Sequence, residues 1–311
     1  MFFLPNFLSF NMKILSFGIS FAAVSSSVIE LDTSPLGFGF AFSYSIVGGN
    51  GLRMRAHICT DSNHRGEEYS ESMLNITTAN NEAMIVPNFI GERSRILGIV
   101  STGFGSRFAT ELANQWMMIP MHRQLILNPS NPSNFVYGGI LGTTRSLSPD
   151  AFLVRVSVSI LNVTQELLNL DVPSPVEGPS TSFGISPGSR LDYIPSNQMR
   201  DLYFELQSRG IESYTTFHRD RSIAEISIGD LSDEIIDTLP TIQYHVHCES
   251  GTSVIINLFG RDYVGPRSGR RRLLNLKSFP VDRGVFGQPT LSKIALYIDN
   301  RNRTIGFGEP L

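Results

Sequence analysis

A pattern that occurs once in each half of the chain narrows the possible folds more than any other feature. In the first half, an apolar segment ends in Ile58-Cys59-Thr60, and Ile96-Leu97-Gly98-Ile99 follows downstream. In the second half, Phe183-Gly184-Ile185 leads into Ser186-Pro187-Gly188-Ser189, and Val285-Phe286-Gly287 follows. A strand that ends in a turn of small residues, with a later apolar-apolar-glycine segment, is thus present twice. Such an internal repeat predicts two similar lobes.

The segments around these motifs show the period of two that is typical of β-strands. Apolar and polar residues alternate from Leu52 to Ile58 and from Phe152 to Ile160. Shorter strands are predicted at 225–228, 241–246, 253–258 and 294–299. A chain of 311 residues is about twice the common domain size, so two lobes fit its length. The pattern therefore predicts a mostly β protein with two β-rich lobes.

Few segments have helical spacing. One helix is predicted from a cap at Ser196 to Gly210. A second would be capped by Ser106, with apolar residues four positions apart from Phe108 to Trp116. The interval 138–149 is rich in glycine, serine and threonine and is the predicted boundary between the lobes.

The N-terminus has the layout of a secretory signal peptide. A charged Met12-Lys13 precedes the short apolar segment 14–24, and three small serines follow at 25–27. Residues 1–27 are therefore predicted to be a signal peptide, with Met12 as a possible start. The apolar segment is too short for a bilayer core of ~30 Å, so no membrane span is expected. The predicted location is outside the cell or in the lumen of the secretory pathway.

Three Asn-x-Ser/Thr triplets agree with that location and predict glycosylation at Asn75, Asn162 and Asn302. The two cysteines, Cys59 and Cys248, allow one disulfide or two separate thiols. No metal-ligand spacing surrounds the cysteines or histidines, so neither a metal nor a cofactor is expected.

The charge of the chain argues against one large class of function. The net charge is −3, which disfavours a dedicated nucleic-acid-binding protein. The single basic cluster, four arginines within 267–272, is interpreted as part of a solvated loop or a processing site.

Several segments between about residue 42 and the C-terminus resemble segments of the pepsin-like aspartic proteases and follow one another in the same order. The stretch Val285–Leu291, followed by Ala295–Asp299 and Arg303–Phe307, is similar to the terminal block of that family. Leu239-Pro240-Thr241-Ile242 and Tyr137-Gly138-Gly139-Ile140 are similar to two further family segments. The resemblance implies a bilobal acid-protease fold with a cleft between an N-terminal lobe, 28–145, and a C-terminal lobe, 146–311. The first lobe would carry a shortened flap.

The same resemblance implies which residues occupy the catalytic positions. Each lobe of an active family member supplies an aspartate in an Asp-Thr/Ser-Gly-Thr/Ser motif. Here Ser186 stands at the second aspartate position, with Gly188 and Ser189 retained, and Cys59 stands at the first. Gly98 and Gly287 are the implied supporting glycines of the two lobes.

The replacements remove the chemistry on which the family depends. Two carboxylates share one proton in the family's dyad, because like charges a few ångströms apart cannot both ionise. A serine hydroxyl is no general base near neutral pH, and no imidazole or guanidinium is placed by the sequence to ionise Cys59. We therefore expect a monomeric, non-catalytic protein that binds a peptide or protein in the cleft or on its surface.

An active endopeptidase with a displaced dyad is the alternative. Asp61 lies two residues after Cys59, and Asp192 lies six after Ser186. Catalytic geometry tolerates little displacement, so exposed turn and helix-approach positions are the preferred interpretation of these two aspartates.

Overall fold

The computed structural model describes the chain at residues 27–33, 39–46, 54–59, 74–77, 83–86, 90–94, 97–101, 113–129, 135–138, 153–161, 169–173, 180–248 and 251–309. Residues 1–26 of the predicted signal peptide lie outside these ranges, as do Asp61 and Asn162.

Strands dominate both halves of the described chain. Those of the first half are β1 (Ser27–Glu30), β2 (Asp32–Thr33), β3 (Phe40–Ile46), β4 (Met54–Cys59), β5 (Leu74–Thr77), β6 (Ala83–Val86), β7 (Ile90–Ser94), β8 (Leu97–Ser101), β9 (Gln115–Ile119), β10 (Gln124–Leu127) and β11 (Val136–Gly138). Those that follow are β12 (Leu153–Leu161), β13 (Asn169–Pro173), β14 (Thr181–Ile185), β15 (Asp192–Pro195), β16 (Ser213–Phe217), β17 (Ile223–Gly229), β18 (Thr241–His247), β19 (Thr252–Leu258), β20 (Val264–Ser268), β21 (Arg271–Phe279), β22 (Arg283–Phe286), β23 (Ala295–Asp299) and β24 (Thr304–Gly308).

Each half builds a sheet of its own. In the first half the strand order is β6-β5-β3-β4-β8-β7, with β2 paired to β3. In the second half the order is β13-β19-β18-β12-β14-β22-β15-β21-β17-β16, with β20 paired to β21. Parallel pairs occur in both sheets: β4 with β8 in the first, and β14 with β22 in the second. The predicted repeat is therefore visible in the backbone, because each motif strand runs parallel to the strand that carries the apolar-apolar-glycine segment.

A third sheet joins the two halves. Its order is β1-β10-β9-β23-β24-β11, so the last two strands of the chain pair with strands of the first half. Trp116, Met118, Leu125 and Ile298 have exposed fractions of 0% in this region. This burial shows that the joining sheet is part of the core rather than a surface ribbon.

In the described part of the chain, four α-helices accompany the sheets. They are α1 (Ser196–Ser208), α2 (Asp233–Asp237), α3 (Gly260–Tyr263) and α4 (Gln288–Leu291). The prediction of α1 is confirmed, and its apolar residues Met199, Leu202 and Leu206 are fully buried. Ser196 is the first residue of the helix and not its cap, because Pro195 occupies the N-cap position without a side-chain bond.

The second predicted helix is wrong at its C-terminal end. Trp116 lies in β9, where it pairs with Leu127 on one side and Ile298 on the other. Leu127 belongs to β10 and Ile298 belongs to β23, and the indole of Trp116 is completely buried. Tertiary pairing therefore overrides the spacing of four that indicated a helix. The remainder of that predicted helix, 106–112, lies outside the described residues.

Candidate functional site

The turn that follows β14 holds the motif of the second half. The Ser186 amide donates to the carbonyl oxygen of Phe286 at 2.9 Å, and the Ser189 amide donates to the Ser186 carbonyl at 2.9 Å. The Ser189 hydroxyl donates to the Leu191 carbonyl at 2.7 Å and also accepts from the Leu191 amide at 3.2 Å. These bonds close the turn on itself and fix the backbone on both sides of Gly188.

A strand of the first half packs directly on this turn. The Gly39 amide donates to the Gly188 carbonyl at 3.1 Å, and the Phe40 amide donates to the Pro187 carbonyl at 2.7 Å. A Cβ atom at Gly39 would lie 2.2 Å from the Pro187 carbonyl oxygen. The two halves therefore meet here at backbone distance, which only a residue without a side chain permits.

Gly287 is required for a second close approach at the same turn. It follows β22, whose register sets Ile185 beside Phe286, so that Gly287 comes level with Ser186. A Cβ atom at Gly287 would lie 2.2 Å from the Leu191 carbonyl oxygen and 2.9 Å from that of Ser189. The Gln288 amide donates to the same Ser189 oxygen at 2.8 Å. The structure thus brings together four of the predicted site residues, Ser186, Gly188, Ser189 and Gly287.

Asp192 lies beneath this turn and is completely buried. One carboxylate oxygen accepts from the Gly287 amide at 2.7 Å, and the other accepts from the Thr290 hydroxyl at 2.5 Å. The Tyr244 hydroxyl lies 3.4 Å from the second oxygen. The interpretation of Asp192 as an exposed residue is therefore wrong: its carboxyl ties the start of β15 to the start of α4.

The environment of Asp192 also changes its ionisation. Burial raises the pKa of the Asp192 carboxyl to about 7, although the bonds from Thr290, Gly287 and Tyr244 lower it in part. Burial, together with the nearby Asp192 charge, likewise raises the pKa of the Tyr244 hydroxyl well above its ordinary value. A carboxyl group that is fully buried and bonded on both oxygens has no open side for a catalytic water.

In the first half, the parallel pair of β4 and β8 has a different register from the pair of β14 and β22 in the second half. Ala56 pairs with Gly98, and Cys59 pairs with Ser101 at the end of the parallel β4–β8 pair. In the second half it is the residue after the strand, Ser186, that comes level with the supporting glycine. Cys59 therefore lies three residues beyond the position that is level with Gly98, and its assignment to a catalytic position stays a prediction.

The other predicted positions are spread over the molecule. Asn75 lies within β5, between β3 and β6, so its backbone is part of a sheet interior. Asn302 lies in the exposed turn after β23, where its side-chain nitrogen donates to Asp299 at 2.9 Å. Cys248 is buried at the end of β18, with its sulfur 3.7 Å from the Val246 carbonyl oxygen.

Two properties of the described residues bear on possible ligands. No cluster of three or more histidine, cysteine, aspartate or glutamate side chains capable of holding a metal ion is found among them. In the same part of the chain, no helix has both the length and the apolar character needed to cross a membrane.

Three contributors to this site were missed in the sequence. Gly39 and Thr290 carry no motif of their own, and Tyr244 lies in a strand about 50 residues from Asp192. For Asp192 a signal did exist, since it is a lone acid between Leu191 and the apolar Tyr193-Ile194-Pro195. A charged residue inside an apolar strand is most often paired or bonded in the interior.

The class of the fold follows from the sheet layout and from comparison with solved structures. The crystal structure of basic 7S globulin from soybean matches with a TM-score of 0.60 and 11% identity, covering 91% of this chain and 96% of that one. The crystal structure of EDGP matches with a TM-score of 0.56 and 12% identity, covering 91% and 94%. Both are pepsin-like folds, so this chain has the mostly β, pepsin-like fold of two β-rich lobes.

The resemblance does not extend to a named family. No protein-family model matches the sequence, and no curated protein matches it either. Identities of 11% and 12% establish the fold and leave the activity to be argued from the site.

Proposed function

We propose that this chain is a non-catalytic member of the pepsin-like fold that binds a peptide or protein partner in its cleft or on its surface. The observation that carries the proposal is the Ser186 turn. The turn follows β14, contains Gly188 and comes level with Gly287, and the resemblance to the family assigns Ser186 to the position of a catalytic aspartate. A scaffold built this closely around an inert side chain supports binding rather than proteolysis.

The alternative, an aspartic endopeptidase with Asp61 and Asp192 as its dyad, requires both carboxylates to reach a common water. The bonds of Asp192 to Gly287 and Thr290 argue against this role. Since the residue has an exposed fraction of 0%, neither its oxygens nor a proton on them can reach a substrate in this conformation.

Digestion of a peptide library between acidic and neutral pH tests the proposal. We expect no cleavage that a transition-state analogue of aspartic proteases inhibits. Inhibitable cleavage that disappears in the Asp61→Asn variant would establish the alternative. The same library, immobilised and probed at neutral pH for retained peptides, should yield a binding motif if the cleft takes a peptide.

The proposed location is the secretory pathway or the space outside the cell. The charged Met12-Lys13, the apolar segment 14–24 and the serines at 25–27 support it. Expression of the full chain in a secreting host, followed by N-terminal sequencing, should give a mature start near residue 28. Glycosidase treatment of the secreted protein would report whether Asn75, Asn162 and Asn302 carry glycans.

A further inference from the structure

The hairpin of β20 and β21 concentrates positive charge on a protein that is negative overall. Arginine occupies four of the six positions from 267 to 272, whereas the whole chain has a net charge of −3. Residues 266–271 are all exposed, and Gly269 turns the hairpin with a φ of 65°. The cluster is therefore a projecting tip and not part of the core.

Three of these arginines are held in place. Arg267 donates from Nε to the Gly269 carbonyl at 2.9 Å, and its Nη1 lies 3.0 Å from the Asp230 carboxylate. Arg272 lies 3.5 Å from the other oxygen of Asp230, and the Arg271 guanidinium lies 3.5 Å from the centroid of the Tyr214 ring. Side chains that are already ordered lose less entropy when a ligand binds.

The arrangement leaves positive charge uncompensated. Arg267 and Arg272 are direct cross-strand partners, a placement that is unfavourable for like charges. A single carboxylate, Asp230, bridges them. An anionic group that adds to this tip relieves repulsion, and the planar guanidinium groups match the geometry of carboxylate and sulfate groups.

A depression beside the tip has a different character. Its volume is about 180 Å³, and its lining is Asp233, Ile236, Arg261, Val264 and Arg272. Arg261 is bound by both oxygens of Asp237, so its charge is balanced. The Nε atom of Arg272 is buried and, apart from its ion pair with Asp230 at 3.5 Å, has no hydrogen-bond partner among the described residues. Two apolar walls with hydrogen-bonding groups at the rim fit a ring that has an apolar face and peripheral hydroxyls.

We propose that this surface binds an acidic polysaccharide. The carboxylate or sulfate groups of the polymer lie on Arg267, Arg270 and Arg271, and one sugar ring occupies the depression between Ile236 and Val264. The mixed lining distinguishes this ligand from nucleic acid or an acidic peptide, because Asp233 repels an anion but accepts hydrogen bonds from sugar hydroxyls. The site is separate from the Ser186 turn, so it goes beyond the function proposed above.

Calorimetric titration of the full chain against polygalacturonate and against heparin tests the proposal and separates a carboxylate ligand from a sulfate ligand. Saturable binding to at least one of them is expected. The double variant Arg270→Gln/Arg271→Gln should weaken it by about tenfold and should reduce the dependence on salt concentration. The matched control is Arg200→Gln/Arg219→Gln, which removes two exposed arginines elsewhere on the same lobe and should change the affinity by less than about twofold.

The role of the depression is tested by whether the Asp233→Asn variant binds the polysaccharide more tightly or more weakly than the wild type. Asp233→Asn adds net positive charge, so attachment by charge alone predicts tighter binding, whereas loss of the hydroxyl acceptor predicts weaker binding by about threefold to tenfold. We expect weaker binding. Tighter binding of this variant, equal affinity for poly-glutamate or double-stranded DNA, or no binding to either polysaccharide would overturn the proposal.

Discussion

The second half of this chain builds a complete turn around Ser186, whereas the first half ends its equivalent strand at Cys59 in another register. Ile185 pairs with Phe286, which brings Ser186 level with Gly287, and Asp192 supports the turn from below. In the first half it is Ala56 that is level with Gly98. The two halves therefore share a parallel strand pair but differ in the residue that comes level with the glycine, so a shared fold does not ensure equivalent turns.

The largest effect should come from adding a methyl group where the Ser186 turn meets Gly287. Gly287→Ala places a Cβ atom 2.2 Å from the Leu191 carbonyl oxygen, and backbone on both sides must shift. We expect a loss of about 3 kcal/mol or more in the free energy of unfolding, measured by urea denaturation. Gly184→Ala is the control, because its nearest contact is a Val285 methyl group at an ordinary 3.7 Å. Equal stability of the two variants would contradict the tight packing described for the turn.

The contribution of Asp192 to the free energy of unfolding is expected to depend on pH. The folded-state pKa of about 7 lies above the ordinary aspartate pKa of 3.8, so between these two pH values the folded state holds a proton that the unfolded state releases. This contribution to stability is complete below about pH 4 and is lost as the pH rises towards 7, at no more than about 1.4 kcal/mol per pH unit.

Comparison of the wild-type chain with Asp192→Asn isolates that contribution. The variant keeps an acceptor for the Gly287 amide and cannot ionise, so its urea midpoint should decline less between acidic and neutral pH. Parallel declines in the two proteins would show that another group carries the dependence.

A smaller change in the free energy of unfolding is expected when the two serines of the turn, Ser186 and Ser189, are replaced one at a time. Ser189→Ala removes the two hydrogen bonds with Leu191 and should cost about 1 kcal/mol. Ser186→Ala should change the stability by less than about 0.5 kcal/mol, because the substitution removes a single atom from a partly exposed side chain. Denaturation of both variants under one condition measures the difference. A reversed order would mean that Ser186, and not Ser189, closes the turn.

No gain of activity is expected from Ser186→Asp. A single carboxylate lacks the partner with which the dyad shares its proton, and the first half shows no equivalent register. Peptide-library digestion with this variant should therefore match the wild-type background. Cleavage by Ser186→Asp would show that the first half supplies the second carboxylate, with Asp61 as the first residue to replace.

The sequence predicted the fold well and the site in part, for reasons that particular residues make clear. Alternation and the repeated motif are local signals, and they sufficed for the strands and for the position of Ser186. The contacts of Gly39 with Pro187 and of Asp192 with Thr290 join residues about 100 or more positions apart, which no local pattern records. Trp116 shows the same limit, since its helical spacing gave way to pairing with β10 and β23.

The joining sheet has a consequence for how the chain is made. Strands β9 and β11 acquire their neighbours β23 and β24 only when residues 295–308 have been synthesised. Until then the nascent first half carries unpaired strand edges beside apolar side chains such as Trp116, and such edges promote aggregation. A truncation before Ala295 would make that temporary exposure permanent, so the segment that carries β23 and β24 should determine whether the protein can be produced in soluble form.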